Sequence, residues 1–437
     1  MRNALAILAT LVIPTLGNLN LHQRDRPAVV SLDIKRNDVA VSSSVAQDRA
    51  RRKRDKTTSV ALDTDGSLYY CNITLGTPGQ PLRLAIDTSS ADTSYGTYKA
   101  NESSTYSFMS RGFLTIGYLQ AGDAEGDYAA DTLSIGGASL ENFQFGINED
   151  GLVYNTAGRL GLSYTYTEGQ TSEPNGIIYP NLPLVMVNSG LIQSAAFSIW
   201  LNDLDTNEGS ILFGGVDTDK YHGTLQTIPN LQINNDGVTL PIGVVLDTAS
   251  SMTYLPNEMI FDIYNELGVA WNHTQEIGFL PCTMAEKHMN ISFTFTSPTI
   301  NVGIKEFVLD KGDYNSSKYG CIFGILPSNI TAENILGDTF LRSAYVVYDI
   351  ANGEVSLANT NFNSTTSNIL EIGIGRNAVP GATAVSDTVT VWPTTTSTSR
   401  THTANVATTT SNPAIARATS ISQHMALGLA GAALLAL

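Results

Sequence analysis

Between Leu68 and Asn361 the apolar positions fall in short runs rich in Val, Ile, Leu, Tyr and Phe, and each run stops at Gly, Asn, Asp or Pro. Runs of that length and punctuation predict strands joined by turns, so the body of the chain is expected to be all-β. Two stretches depart from the pattern. Leu182 to Ser189 is an expected helix, as is Asn257 to Leu267, where Met259, Ile260, Ile263, Tyr264 and Leu267 recur at helical spacing.

The strand pattern contains a repeat. Leu84-Ala85-Ile86-Asp87-Thr88-Ser89-Ser90 and Val244-Val245-Leu246-Asp247-Thr248-Ala249-Ser250 each run an apolar strand into Asp-Thr-x-Ser, 160 positions apart. Each is later followed by an apolar strand ending around a glycine, Arg159-Leu160-Gly161-Leu162 in the first half and Asn334-Ile335-Leu336-Gly337 in the second. Two related halves account for this most economically. Asp-Thr alone is a common turn or helix-cap dipeptide, and it recurs at Asp131-Thr132, Asp217-Thr218 and Asp338-Thr339. Asp87 and Asp247 differ because each directly follows a buried-looking strand at the same point of its half.

Two carboxylates meeting across a pseudo-twofold axis cannot both ionise readily, so the pair holds one proton between them at acidic pH. One acid can then accept a proton from water attacking a peptide carbonyl while the other protonates the carbonyl oxygen. Neither a metal nor a cofactor is needed. In this scheme Thr88 and Thr248 brace the two loops, and the hydroxyls of Ser90 and Ser250 satisfy the outer carboxylate oxygens.

The ends of the chain read differently. Ala4 to Leu16 is an apolar run behind Arg2, the layout of a secretory signal peptide over residues 1–18 and too short to span a bilayer. Residues 19–54 form an expected propeptide ending in Arg51-Arg52-Lys53-Arg54, a processing site for a convertase of the kexin type. The full chain has a formal charge of -16, and without residues 1–54 it keeps 14 basic and 36 acidic side chains, giving -22. So acidic a body excludes nucleic-acid partners and suits work at low pH, where carboxylate repulsion falls. Sequons begin at Asn72, Asn101, Asn272, Asn290, Asn315, Asn329 and Asn363, as in a secreted glycoprotein. Of the three cysteines, Cys282 and Cys321 can pair in an oxidising compartment, leaving Cys71 as a buried thiol in an apolar strand. Residues 363–424 are Ser/Thr-rich and read as a disordered stalk. The uncharged apolar tail at 425–437 matches a GPI attachment signal, which would tether the protein at the membrane or wall.

On these motifs the chain resembles the pepsin-like aspartic proteases (peptidase family A1), and in particular the fungal surface-anchored, yapsin-like members, over residues 65–362. Tyr69-Tyr70-Cys71-Asn72-Ile73-Thr74-Leu75-Gly76-Thr77-Pro78-Gly79-Gln80 is similar to the family's entry strand and Gly-Thr-Pro turn, and Ser103-Ser104-Thr105-Tyr106 to its next segment. Phe197 to Leu201, Gly209 to Asp217, Ile335 to Arg342 and Tyr345 to Asp349 resemble further signatures. The resemblance implies a bilobal acid-protease fold with lobes at 55–235 and 236–362, catalytic Asp87 and Asp247, and a Cys282–Cys321 disulfide. It also implies a flap hairpin carrying Tyr118, polypeptide substrates and a monomeric state.

The chain departs from the family pattern at several places. Ser89 and Ala249 replace the glycines of Asp-Thr-Gly, and a Cβ at each crowds the approach of the loops, where a displacement of about 1 Å can cost roughly a hundredfold in rate. Leu119-Gln120-Ala121-Gly122 replaces the usual flap tip, Ser94 stands where a tryptophan commonly supports the flap tyrosine, and the first-lobe disulfide loop is missing. The main expectation is an aspartic endopeptidase. The alternative is a catalytically impaired surface glycoprotein that binds peptides or serves in the wall.

Overall fold

The computed structural model describes residues 28–36, 68–95, 98–118, 122–148, 158–164, 178–206, 208–228, 232–235, 238–295, 297–310, 320–328 and 334–385. The expected signal peptide and tail, the basic processing site, Asn315 and Asn329 lie outside them. Among the described residues the first ten strands in chain order are β1 (Val30–Arg36), β2 (Tyr69–Leu75), β3 (Gln80–Asp87), β4 (Ser94–Tyr95), β5 (Ser107–Tyr118), β6 (Gly122–Ile135), β7 (Ala138–Asn148), β8 (Gly158–Gly161), β9 (Ala196–Trp200) and β10 (Glu208–Phe213). All ten join one 14-stranded sheet that continues into the second half through Ala344–Asp349 and Glu354–Thr360. The seam is β9 against Ala344–Asp349, antiparallel, with Tyr348 opposite Phe197 and their rings stacked at 4.8 Å.

The helices are few. Helix α1 (Leu182–Asn188) starts where the Asn181 side chain accepts from the Leu184 N–H, and α2 (Asn257–Leu267) stops at Gly268, whose φ of 66° suits a residue without Cβ. Helix α2 buries Met259, Ile260 and Tyr264, one stripe of the apolar pattern. Helix α3 (Asp338–Leu341) is a single buried turn after Gly337.

Three stretches delimited from the sequence carry strands of the body. Within the expected propeptide at 19–54, β1 sits between β10 and β2, with Val30, Leu32 and Ile34 buried and Ser31, Asp33 and Lys35 exposed. The alternation apolar-in, polar-out is what a strand with one wet face requires. The division at 235 falls inside a hairpin, since Gln232–Asn235 pairs with Val238–Gly243 and with Asn290–Phe295, strands of the second half. Finally, the chain does not leave the body at 363. Ile369–Glu371 pairs with Gly215–Asp217, Ala382–Ala384 runs parallel to Tyr221–Ile228, and Ile372 and Val379 are buried. Two apolar anchors, with Ser367 and Asn368 bonding the Asp217 carboxylate, hold a stretch whose composition alone suggests disorder.

A charged cluster lies in the core at the junction of these elements. Arg342 is fully buried, pairs with Asp338 and Glu306, and donates to the Glu306 carbonyl at 2.8 Å. Burial opposes its charge, but Asp338 and Glu306 outweigh burial and raise the guanidinium above its ordinary value. Asp338 also accepts from the Tyr69 hydroxyl at 2.9 Å and from Arg36 of β1 at 3.1 Å.

Candidate active site

Each half presents its acid in the same way. β3 runs parallel to β8, with Ala85 opposite Arg159 and Asp87 opposite Gly161, and β8 also pairs antiparallel with β4 at Ser94. In the second half, Val245–Leu246 runs parallel to Ile335–Leu336, and the latter pairs antiparallel with Thr253–Leu255 at Tyr254. Both acids therefore stand at the end of a strand whose parallel neighbour stops at a glycine. The glycines are required by close approach. A Cβ on Gly161 would lie 2.5 Å from the Asp92 carbonyl oxygen, and one on Gly337 2.2 Å from that of Met252.

The loops after the two acids grip each other. Thr88 donates its hydroxyl to the Leu246 carbonyl at 2.8 Å, and Thr248 donates its own to the Ile86 carbonyl at 2.9 Å. Each hydroxyl also accepts the other threonine's N–H, at 3.1 Å and 3.3 Å. Four crossed, buried bonds thus fix the residues adjoining Asp87 and Asp247 against one another. Tyr348 lies below them, its hydroxyl 3.4 Å from the Leu246 carbonyl, and burial raises it well above the usual tyrosine value, so it stays a neutral donor.

Both carboxyls are buried. Asp87 Oδ1 accepts from the Ser89 N–H at 2.9 Å, the Ser90 N–H at 3.1 Å and the Ser89 hydroxyl at 2.7 Å. Its Oδ2 is bound by Arg159 Nη1 at 2.6 Å. Asp247 Oδ1 accepts from the Ala249 N–H at 2.8 Å, and its Oδ2 bonds the Ser250 hydroxyl at 2.6 Å. The family model for eukaryotic aspartyl protease matches residues 68–360, which span both loops.

The chain belongs to the eukaryotic aspartyl protease family. It is 48% identical over 416 residues to the Aspergillus oryzae protein named "Probable aspartic-type endopeptidase opsB", covering 85% of this chain and 84% of that one. It is 29% identical to "Aspartic proteinase yapsin-3" of Saccharomyces cerevisiae, over 74% of this chain and 71% of the relative. The crystal structure of an aspartic proteinase from Irpex lacteus superposes with a TM-score of 0.59 at 20% identity, covering 69% of this chain and 96% of that one. That likeness establishes the bilobal all-β fold.

Against this family frame the sequence-predicted residues fall as follows. Thr88 and Thr248 bond across the two loops, and the Ser250 hydroxyl bonds Asp247 Oδ2. Ser90 does not bond the outer oxygen of Asp87 with its hydroxyl; its backbone N–H serves Oδ1, and Arg159 takes the outer oxygen. Ser89 and Ala249 do not separate the loops. Their N–H groups keep the bonds a glycine would make, and the Ser89 hydroxyl turns onto the acid it adjoins. The backbone places Tyr118 opposite Gly122 at the end of the β5–β6 hairpin, while its side chain and residues 119–121 lie outside the described part. Cys282 and Cys321 are joined by a disulfide, and Cys71 is a buried thiol that burial raises to about 12, which makes it inert packing. Asn72, Asn101, Asn290 and Asn363 are exposed; Asn272 is half-buried and its amide bonds Thr274 and Gln275.

Two features near the site escaped the sequence. Arg159 sits in what reads as an apolar strand, and only the register with β3 brings it to Asp87. Ser94, in the place of the supporting tryptophan, is buried, and just ahead of it Asp92 accepts the hydroxyls of Tyr128 and Tyr179 at 2.8 and 2.6 Å. No spacing in the sequence links residues so far apart.

Proposed function

We propose that the protein is an aspartic endopeptidase that hydrolyses peptide bonds between Asp87 and Asp247. The observation that carries this reading is the crossed Thr88–Thr248 grip, which ties the two acid loops back to back. Asp87 takes a proton from water as the water oxygen bonds to the substrate carbonyl carbon, and Asp247 gives its proton to the carbonyl oxygen. The tetrahedral diol then collapses. The proton held by Asp87 passes to the leaving nitrogen, the C–N bond breaks, and a diol hydroxyl returns a proton to Asp247. Both acids end as they began, with no covalent intermediate.

The binding-module alternative rested on Ser89 and Ala249, and it loses support because both N–H bonds to the acids persist. Purified full-chain protein is expected to cleave an unfolded polypeptide near pH 4 and to be blocked by a statine-type inhibitor. Well-folded protein that binds the inhibitor but leaves substrate intact would favour the binding module.

The reading extends to secretion and tethering at the cell surface through a GPI anchor, supported by the apolar N-terminal run, the exposed sequons and the apolar tail. Among the described residues no helix is long and apolar enough to cross a membrane. Phosphoinositide-specific phospholipase is expected to release the protein from intact cells, and retention after treatment would remove the lipid anchor from the proposal.

A further inference from the structure

A groove of about 450 Å³ lies on the outside of the first half, and peptide hydrolysis makes no use of it. It opens where β2 changes partners. Among the described residues β1 pairs with β2 at Tyr69 and Tyr70 and then diverges along β10, while β6 takes up β2 again at Thr74 and Leu75. The hairpin turn from β6 to β7 walls the gap. It is Gly136-Gly137, with φ of 56° and 78°, set between the paired Ile135 and Ala138, so it presents bare backbone where other turns carry side chains.

Along the groove the register lines up one face of four strands. Pro81 of β3 stands opposite Thr74 of β2, Thr74 opposite Ser134 of β6, and Ser134 opposite Ser139 of β7. Leu75, Leu133 and Leu140, each next in sequence to one of these, are buried, so by strand alternation the row faces outward. Pro81, Ser134 and Ser139 are exposed and Thr74 is half-buried. Three hydroxyls that can both donate and accept therefore run in file beside a proline ring and a flat glycine turn. A pyranose has the complementary make-up, with hydroxyls around its edge and C–H groups on its faces.

Asn72 stands at the head of this row. It is exposed, it shares the face of Thr74, and Asn72-Ile73-Thr74 is a glycosylation sequon whose middle residue points into the core. Arg83, opposite Asn72, holds its guanidinium over the Tyr70 ring at 4.3 Å, on the side of Asn72 away from Thr74. A branch on the Asn72 amide is thus directed along the hydroxyl row.

We propose that Asn72 carries an N-linked glycan whose first sugars lie in this groove, against Pro81 and the Gly136-Gly137 turn and bonded to Thr74, Ser134 and Ser139. The inference rests on the secretion reading and adds to it: this glycan is a packed part of the fold, covering the gap that β1 and β6 leave beside β2.

The test uses the full chain made in a yeast host and treated with endoglycosidase H, native or denatured, with each sequon read by glycopeptide mass spectrometry. That enzyme cuts between the first two sugars, so seating in the groove hides its target. Asn72 is expected to be occupied and to be cut about tenfold or more slowly in native than in denatured protein, because only the unseated population is open to the enzyme. Asn101 and Asn290, also exposed, should be cut at similar rates in both. Ser139→Leu fills the groove from an exposed strand position and should make the native Asn72 site as quick as those two, with a thermal melt to establish folding. Asn72 bare while Asn101 or Asn290 is glycosylated overturns the inference and leaves secretion standing. Equal native and denatured rates at Asn72, or protection that survives Ser139→Leu in folded protein, also overturn it, since the sugars then lie elsewhere. Protein kept inside the cell with every sequon bare removes the secretion reading too.

Discussion

Asp87→Asn and Asp247→Asn are each expected to lower kcat for peptide hydrolysis by on the order of 10²- to 10⁴-fold, the usual contribution of a positioned acid or base. The substitution preserves shape while removing the titrating oxygen. At Asp247 the Ala249 and Ser250 contacts tolerate it: an amide oxygen can still accept the Ala249 N–H, and the Ser250 hydroxyl can accept from the amide NH₂. Asp247→Asn should therefore melt close to wild type and bind peptide with a similar KM. Asp87→Asn is harsher, because one face of the amide meets the Ser89 and Ser90 donors and the other meets Arg159, so an NH₂ is set against a guanidinium. It should lose stability as well as activity. Steady-state kinetics with parallel melts separates the two, and Asp247→Asn with undiminished turnover would show that chemistry does not run through this pair.

Arg342→Met should cost about 3–5 kcal/mol of stability, as breaking a buried ion pair on one side usually does. Methionine fills much of the arginine stem but leaves Asp338 and Glu306 buried without their shared cation, and it strips a donor from the Glu306 carbonyl. Asp338 keeps Tyr69 and Arg36, so Glu306 is the group more completely stranded. Adding Glu306→Gln should recover part of the loss, since contacting residues are not additive. Denaturant titration of the single and double variants measures this coupling. Equal loss in both would mean that the cluster is not an energetic unit.

Much of this architecture was legible because it is local or repeated. The two Asp-Thr-x-Ser loops are visible as a repeat, and helix α2 shows its stripe of Met259, Ile260 and Tyr264 plainly. What escaped depends on register between distant segments. Arg159 in an apolar strand resembles a residue pointing to solvent, and nothing in positions 158–161 says that Ala85 stands opposite. Strand β1 was within reach, since Val30, Leu32 and Ile34 alternate with polar residues, but its place ahead of a basic processing site suggested a discarded leader. The residues after 363 failed for the opposite reason. Two buried apolar side chains, one amide N–H and one hydroxyl bonded to Asp217 are too sparse to register in composition.

The position of β1 sets what a cut after Arg54 would do. It bonds β10 from Val30 to Lys35 on one side and β2 on the other, and its last residue enters the cluster around Asp338. A backbone cut after Arg54 would leave those contacts in place. The severed leader would then behave as a small subunit with its own dissociation constant, so that nicking and release become separate steps, the second governed by dilution.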